Sequence, residues 1–416
     1  MKNRLIYSCL VFFPLVSFGT SLQDVYNSTL QNDESIKTSY YDFESKKKDV
    51  DIAKARYLPN FTSTIAKTNR TYTTNTAIES EEKEDYYSYE LSVSQPIIDY
   101  SIYSSIKEAQ VSNKFGDLLF KDDKQKIVLD AINIFIDGLI SKSLINSTEK
   151  EFKYYEVRRL QFEEMYRLNL IAKSQLDKSK LEYNEILIKL NSYKNNFKLQ
   201  ALKLSHYMNE DITPLEDVIN FEQFETNYDF DKLVSENYQL QASKVAIDLT
   251  KQRLETAKSG HYPVLDLVAN YTKYESDNFI NDYTNERSIG IQLKIPLYQG
   301  GSVRDKIEKN KLIYQSSKFD LLDKTEKLKN EYEELTLSKE IQIDKIKTYE
   351  LAIKDTEIYY NSVLLSYEKN LKNRVDLSEA EYQLIKKRHE INEAKYEKLR
   401  IDLRLKFLIG KLESLQ

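Results

Sequence analysis

The chain has 416 residues, 31% of them charged, and only 8 glycines and 6 prolines. So few breakers exclude a turn-rich mixed globule of this length and point to long helices. A formal charge of −5 is too small to imply a nucleic-acid partner.

The N-terminus, MKNRLIYSCLVFFPLVSFGT, sets Lys2 and Arg4 before an apolar run, Leu5–Phe18, and a small-x-small site at Ser17–Gly19. This predicts a signal peptide over 1–19, too short for a permanent membrane anchor. Its removal takes away Cys9, the only cysteine, so the exported chain forms no disulfide. Cys9 also sits too early in the run to suit lipid attachment.

Beyond the leader, AKARYLPNFTSTIAKTNRTY (Ala53–Tyr72) and YYSYELSVSQPIIDYS (Tyr86–Ser101) carry the odd–even alternation of strands with one apolar face. Tyr87, Tyr89, Leu91 and Val93 alternate with Ser88, Glu90, Ser92 and Ser94; Phe61, Ser63 and Ile65 form a weaker run. The polar stretch between, Thr71–Asp85, reads as a loop. From Ile98 to about Tyr166 no proline intervenes, and a helix of that length would reach roughly 100 Å. Within it Ile127, Val128, Ala131, Ile132, Phe135, Ile136, Leu139 and Ile140 make a stripe at 3–4 spacing. The polar interruption at Tyr166–Leu176 predicts a helix hairpin tip with Asn169 as its left-handed turn residue. Leu176, Ser179, Tyr183, Ile186, Leu190, Tyr193, Phe197, Ala201 and Leu204 then form a heptad-like seam. Residues 211–232 read as an irregular insert.

The second half repeats this plan. TAKSGHYPVLDLVANYTKY (Thr256–Tyr274) and RSIGIQLKIPLYQGGS (Arg287–Ser302) again give two alternating strands, with a polar loop expected at Glu275–Glu286. Pro296 cannot donate to a ladder, so the last strand is expected to stop there. Pro59 and Pro263 are 204 residues apart, and Pro96 and Pro296 are 200 apart. YRLNL (Tyr166–Leu170) matches YEKNL (Tyr367–Leu371) at an offset of 201, as Leu176 matches Leu377 and Leu204 matches Leu405. Asn370 takes the turn role of Asn169, and Asn373 is expected to cap the following helix. The organisation is therefore a tandem duplication: 20–210 as first repeat, 211–232 as insert, 233–416 as second repeat.

On alternation alone a soluble sheet packed on helices fits as well as a membrane one. Tyrosines 86, 87, 89, 271 and 274, gathered near strand ends, resemble an interfacial girdle and favour the membrane. In lipid an open sheet edge is prohibitive, so four strands per chain require several chains to share one barrel.

The whole mature chain resembles the TolC family of outer-membrane efflux and secretion channels. ARYLP at Ala55–Pro59, SQPIIDYS at Ser94–Ser101, HYPVLDL at His261–Leu267 and above all IPLYQGG at Ile295–Gly301 carry the resemblance. It implies a mixed α/β membrane protein: a homotrimer whose chains each give four strands to a shared twelve-stranded β-barrel, continued by a long α-helical coiled-coil barrel. Pro96 and Pro296 become the swivels from strand to helix. The resemblance further implies an acidic pore constriction at Asp376 and Glu379, and gate bonds among Tyr367, Lys372, Ser174 and Gln175. By this resemblance Lys372 and Gln175 stand where the family has arginine and aspartate, so the gate bonds are expected to be weaker. Asn169, Leu170, Asn370 and Leu371 fall at tips that would dock a periplasmic adaptor protein, itself joined to an inner-membrane transporter. Since the sequence stops at Gln416, the resemblance leads us to expect no counterpart of the family's longer C-terminal tail and a thinner girdle around the mid-tunnel.

Read from the residues alone, Asp376 and Glu379 are also ordinary first-turn acids favoured by the helix dipole. In a trimer their spacing would gather six carboxylates near one axis and invite a cation. His206, His261 and His389 lack metal-ligand spacing, and no phosphate loop or nucleophile triad is present, so neither enzyme activity nor a cofactor is expected. The expectation is thus a passive exit duct in the outer membrane, reaching into the periplasm and contacting outer-membrane lipid. The rivals are an exported structural coiled-coil protein with a soluble sheet, and a surface adhesin using the tyrosine-rich loops.

Overall fold

The computed structural model describes residues 19–75, 79–210, 215, 221–224, 229–276 and 283–412. Of the expected signal peptide only Gly19 is among them, and most of the insert 211–232 lies outside them. The elements run α1 (Leu22–Asn32), α2 (Glu34–Ala55), β1 (Asn60–Asn75), β2 (Glu79–Ile98), α3 (Tyr100–Arg167), α4 (Lys173–Met208), α5 (Phe230–Glu236), α6 (Tyr238–Lys258), β3 (Val264–Ser276), β4 (Tyr283–Lys294), α7 (Ser302–Glu368) and α8 (Arg374–Leu408). The succession helix, hairpin, long helix, shorter helix thus occurs twice. The long members have 68 and 67 residues, and the shorter ones 36 and 35.

The chain divides into two compact units. One holds Thr38–Asp122 and Asn237–Lys327, and with them all four strands. Its sheet has the order β1-β2-β3-β4, antiparallel throughout. Among the described residues, the polar stretches expected as loops are strand. β1 and β2 stay paired from Asn60↔Ser94 out to Asn75↔Glu79, and β3 and β4 out to Glu275↔Tyr283. A two-stranded ladder is held by backbone bonds, which polar side chains satisfy as well as apolar ones, so alternation of hydrophobicity underestimates its length.

The other unit takes in the chain up to Lys37, Asp123–Glu236 and Leu328 onward. Its core is the α3 stripe read from the sequence: Val128, Ala131, Ile132, Phe135, Ile136 and Leu139 are fully buried, with Ile127 and Ile140 packed beside them. Val25 and Tyr26 of α1, Leu204 of α4, and Leu399 and Leu403 of α8 close over it. Leu215 and Phe224 of the insert enter the same core. Lys142 Nζ donates to the Leu215 carbonyl at 2.8 Å, which ties Leu215 to α3.

In this unit α3 and α4 form an antiparallel hairpin, laced by Arg158–Glu182 (3.1 Å), Lys189–Glu151 (3.2 Å) and Lys194–Glu149 (2.7 Å). α7 and α8 form a second, with Lys339–Asp402 at 2.7 Å and Arg388–Glu357 at 2.8 Å. Equivalent helices are not equally covered. The seam on α8 is buried at Ala380, Leu384, Ile391, Ala394, Ile401, Leu405 and Leu408, whereas α4 buries only Leu176, Leu190, Leu204, Ser179 and Met208. Conversely, Leu181, Ile188 and Leu202 of α4 are exposed, and so are Leu337, Leu351, Ile358 and Leu365 of α7. Both sets recur in multiples of seven, the spacing of coiled-coil seams, and both are left exposed by the described residues.

Candidate functional site

Two regions carry the functional expectations: the sheet, and the tips of the two helix hairpins.

Residues directly opposite in an antiparallel ladder share a face. The pairing Phe61↔Val93, Val93↔Ala269 and Ala269↔Ile289 puts these four on one face. By the same register that face also holds Ile65, Tyr89, Leu91, Leu265, Leu267, Tyr271, Ile291 and Leu293. The opposite face holds Thr62, Thr64, Ser88, Glu90, Ser92, Ser94, Asp266, Asn270, Thr272, Ser288 and Gln292. Phe61, Ile65, Leu91, Ile289, Ile291 and Leu293 are exposed, so no helix covers the apolar face. From Leu265 to Tyr271 it spans about 20 Å along β3, close to the apolar band of about 25 Å that outer-membrane barrels present to lipid. At the hairpin end the band gives way to charge: Lys67 pairs with Asp85 at 3.4 Å and lies 5.4 Å over the Tyr87 ring, and Arg287 lies 5.6 Å over Tyr271. Tyr87, Tyr89 and Tyr271 therefore sit where a girdle belongs. Tyr274, expected in the same girdle, shares the polar face with Thr284 and Ser88. Among the described residues no helix is long and apolar enough to cross a membrane.

The two strand-to-helix junctions differ. β2 runs through Pro96 to Ile98 rather than stopping at the proline, with a register shift between Pro96 and Ile98. A bulge tolerates the missing N–H. Only Asp99 then separates strand from helix, and its Oδ1 accepts from the amide of Ser101 at 2.8 Å, capping α3. β4 ends at Lys294, before Pro296 as expected, but α7 starts only at Ser302. The link between them turns through Gly300 (φ 61°) and Gly301 (φ 81°), a left-handed pair that side chains disfavour.

At the tips, Asn169 and Asn370 both have φ 57°, the left-handed turn read from the sequence. Leu170 N donates to Met165 O (2.8 Å) and Asn169 N to Tyr166 O (2.9 Å). Leu371 N to Ser366 O (2.8 Å) and Asn370 N to Tyr367 O (2.9 Å) repeat the pattern. These are Schellman closures with Asn at the left-handed position. The apolar residue after such a turn commonly folds back onto its helix, yet Leu170 and Leu371 are exposed.

Asn373 caps α8: its Oδ1 accepts from the amides of Val375 (2.8 Å) and Asp376 (3.0 Å). Asp376 reciprocates, Oδ2 accepting from the Asn373 amide at 3.1 Å. Asp376 is thus half of a capping box, more than the dipole preference of a first-turn acid had suggested. Lys372 Nζ lies 3.8 Å from its other oxygen. Gln175 mirrors this on α4, its Oε1 accepting from the Ala172 amide at 3.3 Å. Ser174 is exposed and Tyr367 half-buried. Among the described residues no hydrogen bond joins Tyr367 or Lys372 to Ser174 or Gln175 within one chain. Glu379 is half-buried one turn beyond Asp376; burial, with the Glu379 charge as a second cause, raises the Tyr154 hydroxyl pKa. Further along, burial and the charge of Glu151 push Tyr382 up more strongly, while Tyr382 stacks on Tyr154 with centroids 6.3 Å apart. Sequence reading passed over two buried polar contacts near here. His389 Nδ1 meets Ser143 Oγ at 3.1 Å, and Asp402 holds both Lys339 and Lys398 (3.4 Å). No group of metal-binding side chains occurs among the described residues.

Comparison with known proteins agrees with this arrangement. A family model described as outer membrane efflux protein matches residues 230–411, from α5 through α8. The alkaline protease secretion protein AprF of Pseudomonas aeruginosa is 23% identical, over 96% of this chain and 86% of its own. The outer membrane protein TolC of Salmonella enteritidis is 19% identical, over 97% and 84% respectively. The crystal structure of the CmeC outer membrane channel of Campylobacter jejuni shares the fold with a TM-score of 0.78 at 11% identity, over 94% of this chain and 86% of that one. Residues 230–411 thus carry the pattern of the outer membrane efflux proteins, and the chain is similar along nearly its whole length to TolC-like channels in sequence and in fold.

Proposed function

We propose that three copies of this chain close one twelve-stranded barrel in the outer membrane and continue it as an α-helical tunnel through the periplasm. The assembly is the exit duct of a tripartite efflux pump or a type I secretion system, carrying small toxic molecules or proteins outward. One observation carries this reading: a four-stranded sheet with one uncovered apolar face, one polar face and two unpaired edges, β1 and β4. Lipid accepts the first face and water the second, but no membrane accepts the edges unless they are joined. The exposed heptad rows on α4 and α7 support the same assembly, since a neighbouring chain would bury them. The twofold succession of elements supports a tandem duplication.

In this reading the exposed tips, Asn169–Leu170 and Asn370–Leu371, meet a periplasmic adaptor that couples the duct to an inner-membrane transporter. Asp376 and Glu379 form the acidic constriction at the tunnel end. Tyr367, Lys372, Ser174 and Gln175 hold the gate, with bonds that assembly would complete. AprF is named for alkaline protease secretion, which supports proteins as one class of cargo.

The test is fractionation followed by conductance. The protein should pellet with outer membrane, need detergent for extraction, and give discrete channels in planar lipid bilayers. Recovery in the soluble periplasmic fraction would favour the exported coiled-coil protein instead.

A further inference from the structure

The two strand-to-helix junctions come from the same repeated plan, yet they are built differently. β2 lies between β1 and β3, and its junction is a single residue, Asp99. β4 is a sheet edge, and its junction is the irregular run Ile295–Gly301. That run holds the two most exposed large apolar side chains of the described residues, Leu297 at 92% and Tyr298 at 86%. Val303, just beyond, is buried and would lie 3.2 Å from a Cβ placed on Gly260, so the base of the run is tightly seated while its crest is bare.

Sheet register says what lies beside that crest. Asn60, the first residue of β1, is opposite Ser94; Ser94 is opposite Val268, and Val268 opposite Gly290. β4 nevertheless continues four residues further, to Lys294. The helix-end margin of the sheet therefore slips along the ladder in crossing one chain. Strands of a closed barrel are tilted, and each turn of the barrel must accumulate such a slip. A neighbouring chain whose β1 starts at the same level thus begins beyond Gly290, at the end of β4 or in the link after it. Face parity narrows this further. Asn60 belongs to the polar face, as does Lys294, so Asn60 of the neighbour falls opposite Lys294 or opposite position 296, never opposite 295. The neighbour's Leu58, two residues earlier, then falls within Ile295–Tyr298 in either register. Leu58 is 64% exposed in the isolated chain, at the close of the α2–β1 turn.

We infer that Leu297 and Tyr298 form a clasp that packs on Leu58 and Pro59 of the adjacent copy, sealing the barrel seam just below its last edge-pairing bonds. This rests on the shared-barrel reading and adds to it. An edge pair supplies backbone bonds, which are blind to sequence; the clasp supplies the apolar contact that locks one register. It also gives a reason for the long link at the edge junction only, since the internal junction faces no other chain.

The mature chain's freedom from cysteine makes the test direct. Leu58→Cys/Leu297→Cys is expressed, purified as the full-length detergent-solubilised protein, and treated with a short bis-methanethiosulfonate. Native mass spectrometry of the same sample reads the number of copies. The expected result is a three-copy mass and conversion of most chain to dimer and trimer bands on non-reducing gels. Chains carrying Leu58→Cys alone, mixed in expression with chains carrying Leu297→Cys alone, should stop at dimers. A three-copy mass without cross-linked bands, or a cross-link only within one chain, overturns the clasp and leaves the shared barrel standing. Absence of a three-copy mass removes the barrel reading and the clasp together. A bimane fluorophore on Leu297→Cys keeps the other occupant in view: strong quenching by brominated phospholipid would assign the crest to lipid and overturn the clasp. Leu297→Ser/Tyr298→Ser should assemble but lose its three-copy band at a lower temperature in SDS, and unchanged heat resistance would count against the inference.

Discussion

Asp376 caps α8 and, in the proposed assembly, also lines the constriction; a single substitution would confuse the two, and the cap geometry separates them. Its Oδ2 accepts the Asn373 amide at 3.1 Å while Asn373 Oδ1 accepts the amides of Val375 and Asp376. Losing half of this box by Asp376→Ala should destabilise the first turn of α8 by about 1 kcal/mol, within the range for helix caps. That corresponds to about a fivefold rise in local opening, read by amide hydrogen exchange over residues 374–378. Asp376→Asn keeps an acceptor in place and should lose much less, although it removes the charge. The Lys372 contact at 3.8 Å is solvent-exposed and adds little. Glu379, which takes no part in the cap, supplies the control: Glu379→Gln should leave exchange unchanged. In planar bilayers the order differs, because Asp376→Asn, Asp376→Ala and Glu379→Gln each remove one carboxylate per chain. All three should weaken cation selectivity and divalent-cation block to a similar degree. If Asp376→Asn opens α8 as much as Asp376→Ala, the capping account is wrong. If none of the three changes selectivity, the carboxylates do not line a constriction.

Four further outcomes rest on burial and backbone geometry. Asp402 is 2% exposed and faces Lys339 and Lys398, so Asp402→Ala should destabilise the helical unit by about 3–5 kcal/mol in denaturant titration. Breaking the exposed Arg388–Glu357 pair by Arg388→Ala should lose no more than about 1 kcal/mol, and equal losses would show that burial is not the deciding factor. Burial lowers the His389 pKa against the opposing charges of Glu393 and Glu390. The unfolded chain therefore binds the proton more readily, and stability present above about pH 6.5 is lost as pH falls, by at most about 1.4 kcal/mol per pH unit. Thermal melts from pH 7.5 to 5.5 should show this slope in the wild type and a flatter one in His389→Gln; identical slopes would exclude His389 as their source. At the tip, Asn370→Val forces a β-branched residue to φ 57° and should cost about 1–2 kcal/mol, whereas Asn370→Gly should be neutral. Limited proteolysis at residues 368–373 distinguishes the two.

Much of this molecule is determined by properties that a residue carries with it. The left-handed turns at Asn169 and Asn370, the cap at Asn373 and the buried stripe Val128–Leu139 all depend on local backbone preference or on a period within one helix. The alternation in β2, β3 and β4 likewise foretold which residues share a face. Tertiary structure decided what depends on pairing across distance. Register, not hydropathy, extended the hairpins into Thr71–Asn75 and Glu79–Asp85 and moved Tyr274 to the polar face. Pro296 lies just past the end of β4, whereas Pro96 is absorbed into a register shift within β2, because β3 pairs beyond it. Asp376 became a capping partner through a reciprocal bond to Asn373, and Asp402 and His389 acquired buried partners more than sixty or two hundred residues away. Nor do the matching heptad patterns of α4 and α8 say that α8 is the more deeply covered of the two. Two similar amphipathic helices differ in burial only through what the fold sets against them.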